Sequence, residues 1–168
     1  RYGLDRGQYK DALGREEEPI GEDDLTVLDH KDEFMESFGL HMQKTLRKRR
    51  QFIFCANLQT AHHVTDASPL YHKLDFSGFL PHERAWLDRL FDEMGCIDGF
   101  REINKQSNQF TWWPEQAEGS RKNAGIRVDY HLLTPGIRKT IEDGWIDDST
   151  RFSDHAPVIM DYDIEIGF

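Results

Sequence analysis

A short apolar run directly behind an amphipathic helix pattern is the feature that most limits how this chain can fold. Hydrophobic residues recur every four positions between Phe34 and Leu46, which predicts a helix from about Asp32 to Lys48. Residues 52–56 then form an apolar stretch of strand length, and we expect a buried strand there. A helix that leads at once into such a strand favours a layered α/β fold.

The rest of the sequence predicts one more helix and a set of strands. A helix over 77–95 is indicated by Pro81 in its first turn and by Gly95 at its end. Alternating or apolar runs predict strands over 109–116, 125–135 and 151–164, with a short helix and turn over 136–146. The order of these elements favours an α/β sandwich with a mixed or antiparallel sheet.

The 168 residues are enough for a single domain, which we place at 1–168. Residues 1–33 are rich in acidic residues and turn formers, so we expect them to be loop-rich and mobile. The chain begins with Arg1 and has neither a leader pattern nor an apolar run of membrane-spanning length. We therefore expect no membrane partner and a chain that begins inside a longer protein, and the two reduced thiols described below favour a cytoplasmic location.

The net charge of −10 limits the possible partners. Binding to free nucleic acid depends mainly on cations that neutralise phosphates. We therefore expect weak or no binding to free DNA or RNA, unless a local basic patch or a partner protein assists.

One basic run interrupts this acidic sequence, and its members are Arg47, Lys48, Arg49 and Arg50. Cations at a helix C-terminus are stabilised by the partial negative charge there, which is a purely structural role. The alternative is a patch that contacts nucleic-acid phosphates or a partner protein.

The cysteines and histidines do not predict a metal site. Cys55 and Cys96 lack the spacing of metal ligands, and we expect two reduced, buried thiols, with a disulfide as the alternative. His62, His63 and His72 lie in a predicted loop at a spacing that matches no zinc-ligand pattern.

Candidate site residues occur at four places in the sequence. These are Asn57 and Gln59 after the first strand, the adjacent Trp112 and Trp113, Asp129, and the Asp154-His155 pair. An adjacent aspartate and histidine at a turn can bind a cation and move a proton. A dipeptide by itself is weak support, however. The tryptophans can equally cover a sheet edge, and His155 can equally be a hydrogen-bonded turn residue.

Taken together, the segments FLPHERAWLDRLFDEMG, QFTWW, KNAGIRVDYHLLTP and RFSDHAPV resemble the carboxy-terminal half of exonuclease III. The resemblance covers roughly residues 34–168. It implies the DNase I-like four-layered α/β sandwich of the endonuclease–exonuclease–phosphatase superfamily, without much of the amino-terminal half. The metal-binding asparagine and glutamate and a phosphate-contacting tyrosine of that half have no match here.

The resemblance also implies a set of site residues. Asp129, Asp154 and His155 match the family's carboxylates and histidine, and Trp112 and Trp113 match its loop that reads damaged DNA. The family's aspartate that activates water is replaced by Asn57, and its phosphate-holding asparagine by Gln59.

These two replacements remove an essential chemical function. An amide cannot accept a proton from water, and general-base catalysis contributes about 10²- to 10⁴-fold in rate. The extra methylene of Gln59 displaces its amide, and a misplacement of about 1 Å can cost about 100-fold. We therefore interpret Asn57, Gln59, Asp129, Asp154 and His155 as the remnant of a catalytic site. We expect no metal cofactor; if any residue binds a metal, it is Asp154, and Mg²⁺ is implied only if the protein is an active nuclease.

The chain is also similar to the catabolite repression control (Crc) proteins of pseudomonads, a degenerate branch of this superfamily. The shared segments include RKRR, FIFC, GFLPHERAWLD, QFTWWPEQAE and VDYHLLTPGIRK. This similarity implies a translational co-repressor without nuclease activity that joins the RNA chaperone Hfq on A-rich messenger RNA motifs. The alternatives are a Mg²⁺-dependent abasic-site endonuclease or 3′–5′ exonuclease, and a structural fragment with no function by itself.

Overall fold

Two antiparallel sheets and the helices packed against them make up the fold. The structure is a computed structural model that describes residues 22–73, 76–114, 124–150 and 153–165. The helices are α1 (Glu22–Thr45), α2 (Pro81–Asp88) and α3 (Gly99–Ile103). The strands are β1 (Ile53–Asn57), β2 (Ile97–Asp98), β3 (Asp129–Leu133), β4 (Ile141–Ile146) and β5 (Val158–Tyr162). Short 3₁₀ helices occupy Val64–Asp66, Tyr71–Lys73 and Pro135–Thr140.

The first sheet has the strand order β1-β3-β2, and both pairings are antiparallel. The register places Cys55 opposite His131 and Asn57 opposite Asp129. The second sheet is the antiparallel pair β4-β5, and β5 also contacts β3. The C-terminal end of β1 and the start of β3 therefore lie side by side, close to the turn that leads into β5.

The main core lies between the first sheet and the helices α1 and α2. Met42 from α1, Leu87 from α2 and Leu132 from β3 are completely buried in it. The indole of Trp86 adds a specific link between the helices, since its Nε1 donates to the backbone carbonyl of Met35 at 2.8 Å.

The α2 helix is held at its start by a buried carboxylate. Glu83 accepts the backbone N–H groups of Gly78 and Leu80, each at 2.8 Å, and forms an ion pair with Lys31 of α1. The helix continues as one π-helical segment (Arg89–Glu93) and ends at Gly95, whose φ of 78° favours glycine. The predicted helix over 77–95 is therefore confirmed.

A buried network of ion pairs joins the loop after β1 to β2, α3 and β3. Arg127 has no exposed surface and pairs with Asp66 at 2.8 Å and with Asp98 at 2.6 Å. Arg101 donates to Asp66 from Nε at 2.9 Å. Burial would raise the pKa of Asp66, but the two guanidinium groups outweigh it and hold that pKa well below its usual range.

Some sequence predictions were wrong. The first helix begins at Glu22, so residues 22–33 are helical, whereas a loop was predicted; acidic residues suit a helix N-terminus. Residues 141–146 form a strand because they pair with β5, an interaction that local patterns do not reveal. The rest of the predicted mobile segment, residues 1–21, lies outside the described residues.

Two further differences concern exposure and pairing. The predicted strand over 109–116 is reduced, within its described residues, to isolated bridges at Trp112. β1 lies at the sheet edge and is only half buried, so Cys55 is exposed while Cys96 is buried; both are free cysteines. In the part of the chain that the structure describes, no helix is both long and apolar enough to span a membrane.

Candidate functional site

An open pocket of about 390 Å³ lies where the C-terminal end of β1 meets the start of β3 and the turn before β5. Three of the predicted site residues line it: Asn57, Asp129 and His155. Asn57 and Asp129 come from neighbouring strands of the first sheet, and the turn before β5 supplies His155. Cys55 of β1 and His131 of β3 also line the pocket.

A hydrogen-bonded histidine and aspartate form the chemical centre of the pocket. His155 Nδ1 lies 2.8 Å from Asp129 Oδ2, and the side chains are 26% and 23% exposed. Asp129 is held by its place in β3, and its N–H donates to Thr111 Oγ1 at 3.2 Å. The backbone of His155 is held by an isolated antiparallel β-bridge to Trp112 and by a hydrogen bond from its N–H to Ser153 Oγ at 3.0 Å.

This arrangement fixes the orientation of the imidazole. Because Nδ1 donates to a carboxylate, Nε2 is the nitrogen that remains for a ligand in the pocket. The neutral ring can accept a proton at Nε2, and the protonated ring can donate to an anionic oxygen. The carboxylate of Asp129 holds the ring in the orientation that leaves Nε2 for the ligand.

Asn57 completes the polar lining directly beside this pair. Its Cα faces that of Asp129 across the two strands, and its Oδ1 accepts the backbone N–H of Gln59 at 2.9 Å. With Oδ1 engaged in this turn, the Asn57 amide has N–H groups left to donate. An amide can hold an anionic oxygen but cannot remove a proton from water.

Gln59 lies outside the pocket lining. It adopts a φ of 50°, and its backbone carbonyl accepts Lys31 Nζ at 2.9 Å. The turn after β1 therefore directs this residue away from the Asp129–His155 pair, although the sequence places it only two positions after Asn57.

Asp154 and His155 are neighbours in sequence, yet their side chains have different partners. Asp154 is exposed and accepts Trp112 Nε1 at 2.9 Å, and it does not line the pocket. Trp112 is partly exposed, whereas Trp113 is 7% exposed and packs with Phe110 and Ala156. A surface role in reading nucleic acid is therefore compatible with Trp112 and not with the buried Trp113.

The four basic residues 47–50 are exposed and precede β1, whereas Asn57 ends it. At about 3.3 Å per residue, the length of β1 alone separates them from Asn57 by about 13 Å. They do not line the pocket, so they can contact only those phosphates of a nucleic acid that lie outside it.

The potential metal ligands among the described residues are dispersed. No group of three or more histidine, cysteine, aspartate or glutamate side chains among them is arranged to hold an ion. Asp129 is engaged by His155 and Asp154 by Trp112. Mg²⁺ is usually held by one or two carboxylates together with waters and substrate phosphates, and of these two carboxylates only Asp129 lines the pocket.

Comparison with known proteins gives this geometry a context. The chain is 31% identical over 114 residues to an exodeoxyribonuclease of Bacillus subtilis, which is 67% of this chain and 45% of that protein. It is 30% identical over 116 residues to the DNA repair nuclease APEX1 of Danio rerio, which is 68% of this chain and 37% of the relative. The chain is homologous to the exonuclease III and AP endonuclease superfamily. No family model matches it.

Solved structures agree on the fold. The 3′-5′ exonuclease NExo of Neisseria meningitidis matches with a TM-score of 0.72 at 21% identity, over 82% of this chain and 55% of that one. An AP endonuclease of Archaeoglobus fulgidus matches with a TM-score of 0.70 at 23% identity, over 79% of this chain and 53% of that one. The predicted DNase I-like α/β fold of exonuclease III type is confirmed. The chain spans less than half the length of the curated relatives it matches.

Two residues that line this pocket were not predicted from the sequence. These are Cys55 and His131, which share the pocket with Asn57 and Asp129. Side chains two positions apart in a strand face the same side of the sheet, so Cys55 lies on the face of Asn57 and His131 on the face of Asp129. The register itself depends on long-range pairing, which the sequence alone did not provide.

Proposed function

We propose that the whole protein is an exonuclease III-like protein that binds nucleic-acid phosphodiesters at this pocket and hydrolyses abasic sites or 3′ ends only slowly. The observation that carries the proposal is the His155–Asp129 pair, at 2.8 Å, in one pocket with the amide of Asn57. Homology to proteins named exodeoxyribonuclease and DNA repair nuclease supports the substrate class.

The pocket suits recognition of a phosphate group. His155 offers Nε2 and Asn57 offers amide N–H groups, and both can donate to a phosphate oxygen. Asp129 orients the imidazole of His155, and a protonated ring donates a charge-assisted hydrogen bond from Nε2. These hydrogen bonds can position a phosphodiester, and none of them requires a carboxylate at position 57.

Slow hydrolysis follows from the chemistry of Asn57. The position beside the His155–Asp129 pair holds an amide, so no carboxylate there removes a proton from attacking water. Loss of a general base lowers the rate by about 10²- to 10⁴-fold. In this proposal His155 donates to the phosphate from Nε2, and a ring that donates from that atom cannot at the same time accept a proton from water there.

Binding and cleavage of a labelled abasic duplex test this proposal. His155→Gln removes the imidazole of the pocket and is expected to weaken both binding and the residual cleavage. His82→Gln is a matched control, because His82 is an exposed histidine that also pairs with an aspartate, Asp32, at 3.2 Å. Equal affinity and equal cleavage in wild type, His155→Gln and His82→Gln would contradict the proposal.

A second candidate function is translational co-repression with Hfq on A-rich messenger RNA, as in the Crc proteins. The amides of Asn57 and Gln59 in place of catalytic side chains favour it. A net charge of −10 also favours binding to an RNA that a partner presents over binding to free RNA.

A gel-shift assay with A-rich RNA, with and without Hfq, separates the two candidates. The co-repressor interpretation predicts a shifted complex only when Hfq is present, and a complex that does not depend on His155. The nuclease interpretation predicts no stimulation by Hfq and a clear dependence on His155.

A further inference from the structure

A second group of reactive side chains runs across three strands beside the His155–Asp129 pair. Cys55 Sγ lies 3.7 Å from His131 Nε2, and His131 Nδ1 lies 3.0 Å from the hydroxyl of Tyr162. The group arises from the strand pairing, because Cys55 and His131 are direct partners in the β1–β3 register and β5 packs next to β3. The proposed phosphate-binding contacts use none of these three residues.

Cys55 is open to solvent and lines the pocket together with His131. The other cysteine provides a contrast within the same chain. Cys96 is buried, its thiol donates to the Leu133 carbonyl at 3.6 Å, and burial raises its pKa to about 12. An external reagent can therefore reach Cys55 in the folded protein, while Cys96 is shielded and stays protonated.

The environment of His131 makes it suitable as a proton acceptor. Burial lowers the pKa of His131, so its ring is neutral at pH 7, and burial raises the pKa of Tyr162 to about 12, so its hydroxyl stays protonated. In the tautomer that carries its proton on Nδ1, this N–H is directed to the Tyr162 oxygen and the lone pair of Nε2 faces Cys55 Sγ. A backbone hydrogen bond with Val158 and the charge of Asp98 act on the His131 pKa in the opposite direction, with smaller effects.

We propose that Cys55 is a site of reversible modification by low-molecular-weight disulfides, with His131 as the base. The thiol proton passes to His131 Nε2, and the Cys55 sulfur attacks one sulfur of a disulfide such as glutathione disulfide. The S–S bond of the reagent breaks, a mixed disulfide forms on Cys55, and the departing thiolate takes the proton from His131. The disulfide is the oxidant, and each exchange releases one thiol.

Modification has a direct consequence for the pocket. Cys55 is two residues before Asn57, and both line the same 390 Å³ space. A glutathionyl group on Cys55 would occupy that space and bring two further carboxylates. Exclusion of a phosphodiester by the adduct rests on the proposed function. The modification of Cys55 is independent of that function.

The test is the rate of mixed-disulfide formation when the purified protein meets glutathione disulfide at pH 7, followed by peptide mass spectrometry. We expect the adduct on Cys55, none on Cys96, and a rate about tenfold lower in His131→Gln. Cys96 serves as an internal control for folding, since its peptide gains an adduct if a variant unfolds. Tyr162→Phe, which keeps the ring and removes the hydroxyl, is a milder second variant and is expected to lower the rate as well.

Two results would overturn the proposal. One is equal modification of Cys55 and Cys96 in the native protein. The other is a wild-type rate at Cys55 in both His131→Gln and Tyr162→Phe while Cys96 stays protected. Neither result depends on nucleic-acid binding, so failure here is distinguishable from failure of the proposed function.

Discussion

Asp129 and His155 are 26 positions apart in the chain, and their side chains meet at 2.8 Å in the pocket beside Asn57. The neighbour of His155 in sequence, Asp154, contacts Trp112 instead. The functional pair is therefore made by β3 and the turn before β5, and not by adjacent residues. This relationship leads to specific expectations for the chemistry and for the stability of the protein.

The first expectation concerns the tautomer of His155. Because Nδ1 is bound to a carboxylate, the neutral ring should carry its proton at Nδ1, and Asp129→Asn should shift protons toward Nε2. Nitrogen-15 NMR of the histidine rings measures this distribution. Asp32→Asn is the control, since it removes the partner of the exposed His82. An unchanged His155 ring in Asp129→Asn would contradict the pairing.

The second expectation concerns the buried ion network. Arg127→Ala leaves Asp66 without one of its charged partners and should lower the free energy of unfolding by about 3–5 kcal/mol. Arg138→Ala is the control, because Arg138 is 58% exposed and pairs with Glu102 at the surface. That change should cost at most about 1 kcal/mol. Urea unfolding measures both, and equal losses would show that the network is not structural.

The third expectation is a pH dependence of stability through Asp66. Its pKa is lowered in the folded protein, so its contribution is present above the ordinary value of 3.8 and is lost as pH falls toward the folded pKa. The difference in unfolding free energy between wild type and Asp66→Asn should be constant above about pH 5 and shrink below pH 3.8. A difference that stays constant down to acid unfolding would argue against the ion pairs.

The fourth expectation concerns the exposed basic residues 47–50. Replacing all four by alanine should weaken nucleic-acid binding, or assembly of the complex with Hfq and RNA. It should also reduce the slope of log affinity against log salt by up to about three. A control of equal charge change uses cations that are exposed elsewhere: Arg89, Lys105, Arg138 and Lys139. If the two quadruple variants bind alike, the basic run is only a helix terminus.

The sequence predicted those parts of the molecule that local patterns and motifs determine. The α2 helix has a proline at its start and a glycine at its end, and β1 and β5 are marked by apolar runs, so all three were found. The motif resemblance selected Asp129 and His155 before any geometry was known. Both are now seen in one pocket.

Long-range pairing explains most of what was missed. β4 is stable as a strand because β5 lies beside it, and its own residues gave a helix-like pattern. Arg127 looked like an ordinary strand residue, and its burial follows only from the meeting of Asp66 and Asp98. For Trp113 the sequence left a DNA-reading role and a packing role equally open, and its side chain fills a small core cluster.

The most direct test of the account is the cleavage rate of an abasic duplex by the full-length protein and its Asn57→Asp variant. The assay is done with Mg²⁺ and with Mn²⁺ and includes His155→Gln in each background. We expect Asn57→Asp to raise the rate by about 10²- to 10⁴-fold, because it restores a general base beside the His155–Asp129 pair, and His155→Gln to abolish this gain. A wild type that already cleaves as fast as Asn57→Asp would contradict the claim that the amide of Asn57 limits hydrolysis.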